Sequence, residues 1–246
     1  MASLPSWREL GRRLPREVIS AAWARAKWLP IAGLLVLFGS LWAFGVLVED
    51  VVTGDPIVRL DRRLAGWLHE HATGPRTEFF EGVTALGNAV TLLVVSAGAA
   101  ALLLARGRRA DALLVGLSLA GAEALTFGLK LGFRRERPFF ADPLAQESTF
   151  SFPSGHAMVS MAVYGALACV LARGSTAWAA RAAVLAGATA LVLLIGFSRL
   201  YLGVHYLSDV LAGLTAGLAW LVVCILAIAL HEARPLSRGR EGQTSR

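Results

Sequence analysis

Six stretches of the sequence are long and apolar enough to cross a lipid bilayer, and this feature constrains the fold more than any other. A spanning helix needs about 20 mostly apolar residues. Only helices and closed barrels satisfy the backbone in lipid, and the alternation typical of barrel strands is absent. The sequence therefore predicts an all-α integral membrane bundle of six transmembrane helices. The alternative has five spans, with the short fifth stretch re-entrant. The stretches are residues 28–48, 82–105, 112–129, 154–172, 182–198 and 210–230.

The basic residues predict how this bundle is oriented. Fifteen of the 24 lysines and arginines lie in the first 28 residues, in the loops after the second and fourth stretches, and beyond residue 230. Because such residues concentrate on the cytoplasmic side, both termini are predicted to be cytoplasmic. The first stretch lacks a small-residue cleavage site, so we interpret it as an anchor rather than a signal peptide. The alanine, arginine and glycine bias suggests a bacterial chain of the inner membrane, with its outer loops on the periplasmic side.

The same pattern divides the chain and narrows its partners. We predict a basic cytoplasmic arm (1–28), a six-span membrane domain (29–230) and a flexible cytoplasmic tail (231–246). The composition, 56% hydrophobic and 17% charged, suits a chain surrounded by lipid. The net charge of +7 raises the question of nucleic acid, but the arginines punctuate apolar runs instead of forming one patch. We expect membrane lipids as surroundings, no nucleic acid and no obligate protein partner.

The segment between the first two spans predicts a short interfacial helix. Its apolar residues Ile57, Leu60 and Leu64 recur at helical spacing, which is typical of an amphipathic helix lying at the membrane surface. His69 and His71 follow, but residues two apart do not share a helix face, so a metal site is not expected there. The two cysteines lie in apolar runs without partners at ligand spacing, so neither a disulfide nor a cofactor is predicted.

Three polar segments interrupt the apolar pattern on the predicted outer side. Ionisable residues at such depths are costly and usually face a partner or a cavity. The segments are Lys130 to Arg137-Pro138, then Pro153-Ser154-Gly155-His156, and finally Ser198-Arg199 with His205 and Asp209.

Elementary chemistry gives each segment a role in binding phosphate. Pro153 is favoured in a first helical turn, which leaves the N–H groups of residues 154–156 free to bind an anion. His205 and Asp209 are four residues apart, so a helix would put them on one face, where the carboxylate fixes the imidazole tautomer. The three cations Lys130, Arg137 and Arg199 suit three phosphoryl oxygens. Magnesium would need more carboxylates, so the prediction is metal-free phosphoryl transfer.

Together the segments resemble the type-2 phosphatidic acid phosphatase superfamily, whose motifs Lys-x6-Arg-Pro, Pro-Ser-Gly-His and Ser-Arg-x5-His-x3-Asp are matched at every fixed position. The resemblance implies a membrane lipid phosphatase with its site on the outer side. It implies that His205 attacks phosphorus and forms a phosphohistidine, that Asp209 orients it, and that His156 protonates the leaving oxygen and then activates water. The implied phosphate ligands are Lys130, Arg137, Ser154, Gly155 and Arg199.

The substrate stays open at this stage. A site at the membrane surface favours an amphiphile, and undecaprenyl diphosphate is slightly preferred. The alternatives are phosphatidylglycerophosphate, phosphatidic acid and lipid A phosphates. The non-enzyme alternatives are a lipid-binding protein or a transporter with an anion path. A phosphatase assay of the purified protein, with His205→Ala as control, separates these classes.

Three further residues lie outside the motifs. Glu123 is the one acid in the third apolar stretch, so we expect it to face the bundle interior. It either joins two helices by hydrogen bonding or forms a polar floor beneath the phosphate site. Arg134 and Arg135 are interpreted as interfacial anchors that reach the membrane surface.

Overall fold

A computed structural model describes residues 16–54 and 56–241, and this part of the chain contains helices but no strands. The prediction of an all-α membrane bundle is confirmed. The helices are α1 Arg16–Thr53, α2 Pro56–Glu70, α3 Gly74–Ala85, α4 Ala89–Ala105, α5 Arg109–Phe133, α6 Gly155–Arg173, α7 Trp178–Tyr201 and α8 Leu207–Glu241. The division into arm, domain and tail stays a prediction, because residues 1–15 and 242–246 lie outside the described residues.

Among the described residues, five helices are each long and apolar enough to span a membrane, and a bent pair of helices makes a sixth span if the two are counted as one. The pair is α3 and α4, which meet at an angle of 42°. The re-entrant alternative for residues 182–198 is wrong, since α7 is an unbroken helix of 24 residues. The break lies at residues 86–88, inside the second predicted stretch. There Asn88 caps α4 by accepting the Thr91 N–H at 2.7 Å, and a side chain on Gly87 would lie 2.5 Å from Ile195.

The predicted interfacial helix is present as α2, and it packs onto α1, α7 and α8. Its apolar residues Ala65 and Leu68 are buried, as an amphipathic pattern requires. Asp61, which lies among charged residues in the sequence, is also buried, with 1% of its surface exposed. A buried carboxylate needs partners, and α2 is therefore joined to the bundle by polar contacts as well as apolar ones.

Close packing of α6 against α8 brings two of the polar segments together. On α8, a side chain on Gly213 would lie 2.5 Å from the backbone oxygen of Ser154, and Gly217 approaches the α6 backbone just as closely. Small residues four apart allow helix backbones to touch in this way. The Ser154 N–H donates to the backbone oxygen of Asp209 at 3.0 Å. The N-termini of α6 and α8 consequently lie side by side.

Candidate active site

A cavity of about 290 Å³ lies at the end of the bundle where α5 ends and α6 begins. Segments far apart in the sequence converge on it. Five of the eight predicted site residues line it: Lys130, Arg137, Gly155, His156 and His205. Ser154, Arg199 and Asp209 lie behind this lining and contact it. The cavity is also lined by Gly87, Ala89, Glu123, Thr126, Phe127, Glu147, Thr149 and Val159.

His205 and Asp209 are paired, although the reason differs from the predicted one. His205 precedes α8, so the two residues do not share a helix face. Instead, His205 lies in the turn after α7, and Asp209 in the first turn of α8 faces back towards it. The Nδ1 atom of His205 lies 3.4 Å from Oδ2 of Asp209, and that oxygen also accepts the Tyr206 N–H at 2.8 Å and the Ser151 hydroxyl at 2.5 Å.

The contacts of His205 specify its tautomer. Its Nε2 atom lies 3.2 Å from Nη1 of Arg137. A guanidinium can only donate hydrogen bonds, so Nε2 is the acceptor and carries no proton. The proton is then on Nδ1, facing the carboxylate of Asp209. This arrangement directs the lone pair of Nε2 towards Arg137, which lines the same cavity.

Burial keeps this imidazole neutral. The side chain of His205 is 1% exposed. Burial lowers the pKa of His205 to about 4; Asp209 opposes this shift, and the charges of Arg137 and Arg199 add to it. A group with this pKa is unprotonated at pH 7, which a nucleophile requires.

The start of α6 differs from the prediction. Pro153 is not in the first turn, since the helix begins at Gly155 with Ser154 as its N-cap, and a cis peptide bond joins Phe152 to Pro153. The Ser154 N–H is bonded to Asp209, so it is not free for an anion. Its hydroxyl is the available group: Ser154 Oγ is buried and has no hydrogen-bond partner among the described residues. A side chain on Gly155 would lie only 3.1 Å from Thr126, which explains the glycine at this wall of the cavity.

Thr149, which the sequence analysis did not single out, holds two of the cations in place. Its hydroxyl accepts hydrogen bonds from Nζ of Lys130 at 2.9 Å and from Nη2 of Arg137 at 3.0 Å. Its backbone oxygen accepts a third, from Nε of Arg137 at 2.6 Å. Arg137 also donates to the backbone oxygen of Val204 at 2.6 Å, next to His205. The two cations are thus fixed before any phosphate binds.

The third cation, Arg199, is paired with an acid that the sequence analysis also missed. Its Nη2 donates to the carboxylate of Glu147, and its Nη1 donates to the Thr84 hydroxyl at 2.7 Å. Burial alone would raise the pKa of Glu147, but Arg199 and Arg137 lower it below its ordinary value, so the carboxylate is charged. Glu147 lies in a loop without any motif, which is why its sequence context gave no signal. An anion that uses Arg199 must compete with this carboxylate.

Arg134 and Arg135 have different roles. Arg134 ends α5 in the left-handed conformation, with φ of 47°, and its side chain is exposed. The interpretation of Arg135 as a surface anchor is wrong, because it forms ion pairs with two buried carboxylates, Asp61 and Asp209. No local pattern indicated this arrangement, since Asp61 is 74 residues away.

Glu123 faces the bundle interior, as predicted, and lines the cavity. It precedes Lys130 by two helical turns, which corresponds to roughly 10 Å along α5. This position agrees with a polar floor to the cavity. His69 and His71 lie elsewhere, bonded to Asp142 and to the Trp67 backbone respectively. No three His, Cys, Asp or Glu side chains in the described part of the chain are close enough to hold a metal ion.

Comparisons with known proteins agree with this geometry. The sequence profile of the PAP2 superfamily matches residues 111–232, which include all eight predicted site residues. Phosphatidylglycerophosphatase B of Bacillus subtilis (strain 168) is 37% identical over 155 residues, covering 62% of this chain and 71% of that protein. The crystal structure of the first transmembrane PAP2-type phosphatidylglycerolphosphate phosphatase from Bacillus subtilis superposes with a TM-score of 0.67 at 29% identity, covering 78% of this chain and 93% of that one. Aquifex aeolicus LpxE shares the fold, with a TM-score of 0.54 at 23% identity over 68% of this chain and 94% of that one.

Proposed function

Because this chain belongs to the PAP2 superfamily, and is a membrane phosphatase of that superfamily, we propose that it cleaves a lipid phosphate in two steps through a phosphohistidine on His205. The observation that carries the proposal is the environment of His205. Its Nε2 faces Arg137 without a proton, and its Nδ1 faces the carboxylate of Asp209. An imidazole held in this way is prepared to attack an electrophile in the cavity and to have its developing positive charge stabilised.

In the first step, Nε2 of His205 attacks phosphorus while the bond from phosphorus to the lipid oxygen breaks. His156, which lines the same cavity, donates a proton to the leaving oxygen. In the second step, water attacks the phosphohistidine and gives a proton to His156, and the P–N bond breaks. Inorganic phosphate leaves, and both histidines return to their starting protonation states.

The phosphoryl oxygens are proposed to be held by the three cations, the Gly155 N–H and the Ser154 hydroxyl. Three of these groups have a hydrogen-bond donor available for an anion. Ser154 Oγ and Arg199 Nε are buried without partners among the described side chains, and the Gly155 N–H lies at the N-terminus of α6. Charge that develops on the oxygens during transfer is stabilised by donors already in position. Arg199 takes part once the phosphate displaces Glu147.

We propose phosphatidylglycerol phosphate as the substrate, because the curated relative at 37% identity is named for this activity. The position of Glu123 supports this choice. Its carboxyl oxygens can accept a hydrogen bond from a hydroxyl beside the transferred phosphate, which a glycerol headgroup has. A diphosphate ionised at neutral pH offers only acceptors there. Undecaprenyl diphosphate, the preference from sequence, stays the second candidate.

A lipid panel tests the substrate. Phosphate release is measured from phosphatidylglycerol phosphate, undecaprenyl diphosphate, phosphatidic acid and lipid A phosphates in matched detergent micelles. We expect the highest kcat/KM for phosphatidylglycerol phosphate, and no release by His205→Ala from any lipid. A tenfold preference for undecaprenyl diphosphate would reverse our order of substrates, and no release from any lipid would contradict the proposed function.

Glu123→Gln should change discrimination between headgroups without unfolding the protein. The substitution keeps the shape of the side chain but replaces one acceptor oxygen with a donor. We expect kcat/KM for undecaprenyl diphosphate to rise relative to that for phosphatidylglycerol phosphate by roughly 3- to 10-fold, the value of about one hydrogen bond. The measurement is the ratio of the two efficiencies. An unchanged ratio, with lower thermal stability in Glu123→Leu, would instead support the helix-joining role.

Activity should not depend on a divalent metal. Two cations line the cavity and a third, Arg199, lies behind the lining, so the charges on the phosphate can be balanced by the chain's own side chains. We expect turnover to survive incubation with EDTA, and vanadate to inhibit because it adopts the geometry of phosphorus under attack. Loss of activity in EDTA with recovery on adding magnesium would contradict metal independence. A magnesium titration of the untreated enzyme is the control.

The orientation is also proposed, on the distribution of the basic residues. Fifteen of 24 lysines and arginines fall on the side of the predicted termini, which favours cytoplasmic termini and a site that faces outward. In a bacterial inner membrane, such a site meets lipid headgroups of the periplasmic leaflet.

A further inference from the structure

Arg135 connects two buried carboxylates on different helices. Its Nη1 donates to Oδ1 of Asp209 at 2.6 Å, and its Nη2 donates to Oδ2 of Asp61 at 2.9 Å. Both carboxylate side chains are 0% exposed, and that of Arg135 is 13% exposed. The guanidinium also lies 4.5 Å from the centre of the Tyr206 ring. The titratable groups in direct contact with Arg135 are therefore Asp61, Asp209 and Tyr206.

Asp61 holds the start of α8 from outside that helix. Its Oδ1 accepts the Ser208 N–H at 2.9 Å, and its Oδ2 accepts the Ser208 hydroxyl at 2.5 Å. Nη1 of Arg135 donates to the same hydroxyl at 2.7 Å. A carboxylate that accepts an N–H in the first helical turn acts as a cap and is favoured by the helix dipole. The residue that follows Ser208 is Asp209.

The two carboxylate oxygens of Asp209 have different hydrogen-bond partners. Oδ2 faces His205 and also accepts bonds from Ser151 and Tyr206. Oδ1 is directed away from His205 and accepts from Arg135. Without that bond Oδ2 would keep its bonds from Ser151 and Tyr206, but the buried Oδ1 would have no cationic partner, and the carboxylate would be held less firmly against the imidazole.

We infer that Arg135 is a positioning residue for Asp209, and that Asp61 of α2 in turn positions Arg135. This inference rests on the proposed roles of His205 and Asp209. Arg135 does not line the cavity, and its donors are already bonded to Ser208, Asp209 and Asp61, so it acts through Asp209. Through Asp61, α2 is part of the framework that holds Asp209 in this chain. Asp61 lies outside the matched region 111–232.

The test compares kcat and KM on the best lipid of the panel, together with thermal unfolding in detergent. Arg135→Gln should lower kcat by roughly 10- to 100-fold, the value of one hydrogen bond to a charged group, and leave KM within about threefold. Asp61→Asn should lower kcat by a smaller factor, since Arg135 keeps its bond to Asp209. The adjacent Arg134→Gln is the matched control, because Arg134 is exposed and bonds the end of its own helix; it should leave both parameters unchanged.

A double variant separates positioning from simple charge balance. Arg135→Gln leaves Asp61 and Asp209 without their cation, whereas Asp61→Asn with Arg135→Gln has the net charge of the starting protein. The double variant should regain thermal stability relative to Arg135→Gln, while its kcat stays low. Recovery of kcat to within twofold of the starting protein would show that Arg135 merely neutralises Asp61, and would overturn the inference.

Arg135→Lys and His205→Ala complete the set of variants. If Arg135→Gln does not fold, Arg135→Lys takes its place, because it keeps the charge but cannot reach both carboxylates in the same way. An unchanged kcat in folded Arg135→Lys and in the double variant contradicts the inference. His205→Ala is measured in parallel, and activity in that variant would reject the proposed function itself, whatever the Arg135 variants do.

Discussion

His205→Ala should reduce kcat/KM by at least about 10,000-fold, as loss of the nucleophile does in other enzymes that form covalent intermediates. No other described imidazole lies 3.2 Å from Arg137 with its second nitrogen facing a buried carboxylate. Alanine removes the only proposed nucleophile and leaves the three cations in place. Binding of the lipid should therefore persist while turnover stops.

The control for this variant is His71→Ala. The His71 ring stacks on Trp67 and its Nδ1 bonds the Trp67 backbone, outside the cavity. Phosphate release from the preferred lipid is measured for both variants after checking that each elutes as a folded protein. His71→Ala should keep full activity. If His205→Ala retains more than about a hundredth of the activity, direct attack by water becomes the better mechanism.

Asp209→Asn should reduce kcat by roughly 1,000- to 10,000-fold, although it changes a single atom. The size of the effect follows from the donors around the carboxylate. On one side Arg135 donates to Oδ1, and on the other Tyr206 and Ser151 donate to Oδ2. An amide has one acceptor oxygen and one donor nitrogen, so either orientation directs its NH₂ towards a donor.

Each orientation of the amide in Asp209→Asn also disables His205. If the NH₂ faces His205, Nδ1 must become the acceptor, and the proton moves to Nε2, where it blocks attack. If the oxygen faces His205, Arg135 loses one of its two carboxylate partners, and the imidazolium formed during the reaction has no negative charge beside it. The control is Asp142→Asn, whose parent carboxylate bonds His69 and is 88% exposed. The measurement is kcat with saturating lipid, and a loss below tenfold would contradict the assigned tautomer.

The membrane bundle and five residues of the cavity lining could be predicted because these features follow local rules of sequence. Apolar length specifies a spanning helix, and Lys130, Arg137, Gly155, His156 and His205 each belong to a short motif. All five line one cavity. Their chemical roles stay predictions until variants are measured.

The features that sequence reasoning missed depend on packing between distant segments. Arg135 and Asp61 meet across 74 residues, and no helical or strand period relates two such positions. Glu147 forms an ion pair with Arg199 because the loop before α6 folds back over the cavity. The general preference of proline for first helical turns predicts a helix that includes Pro153, but here the contact between Ser154 and the Asp209 backbone sets where α6 begins.

The bend between α3 and α4 was missed for a related reason. The apolar, uncharged sequence of residues 82–105 predicts a single span. Gly87 and Asn88 interrupt the helix where it packs against α7, with Ile195 in the space that a side chain on Gly87 would need. Hydropathy reports the environment of a segment but not the neighbour that bends it.

Trapping the covalent intermediate tests the central claim most directly. The enzyme is mixed with lipid labelled by ³²P in the terminal phosphate, quenched in denaturant at alkaline pH within the first turnover, and digested for mass spectrometry. The account predicts one acid-labile label, on the peptide that contains His205, and none in His205→Ala. Turnover without any label, together with inversion of configuration at phosphorus, would contradict it, because a single displacement by water inverts the phosphoryl group whereas two successive displacements retain it.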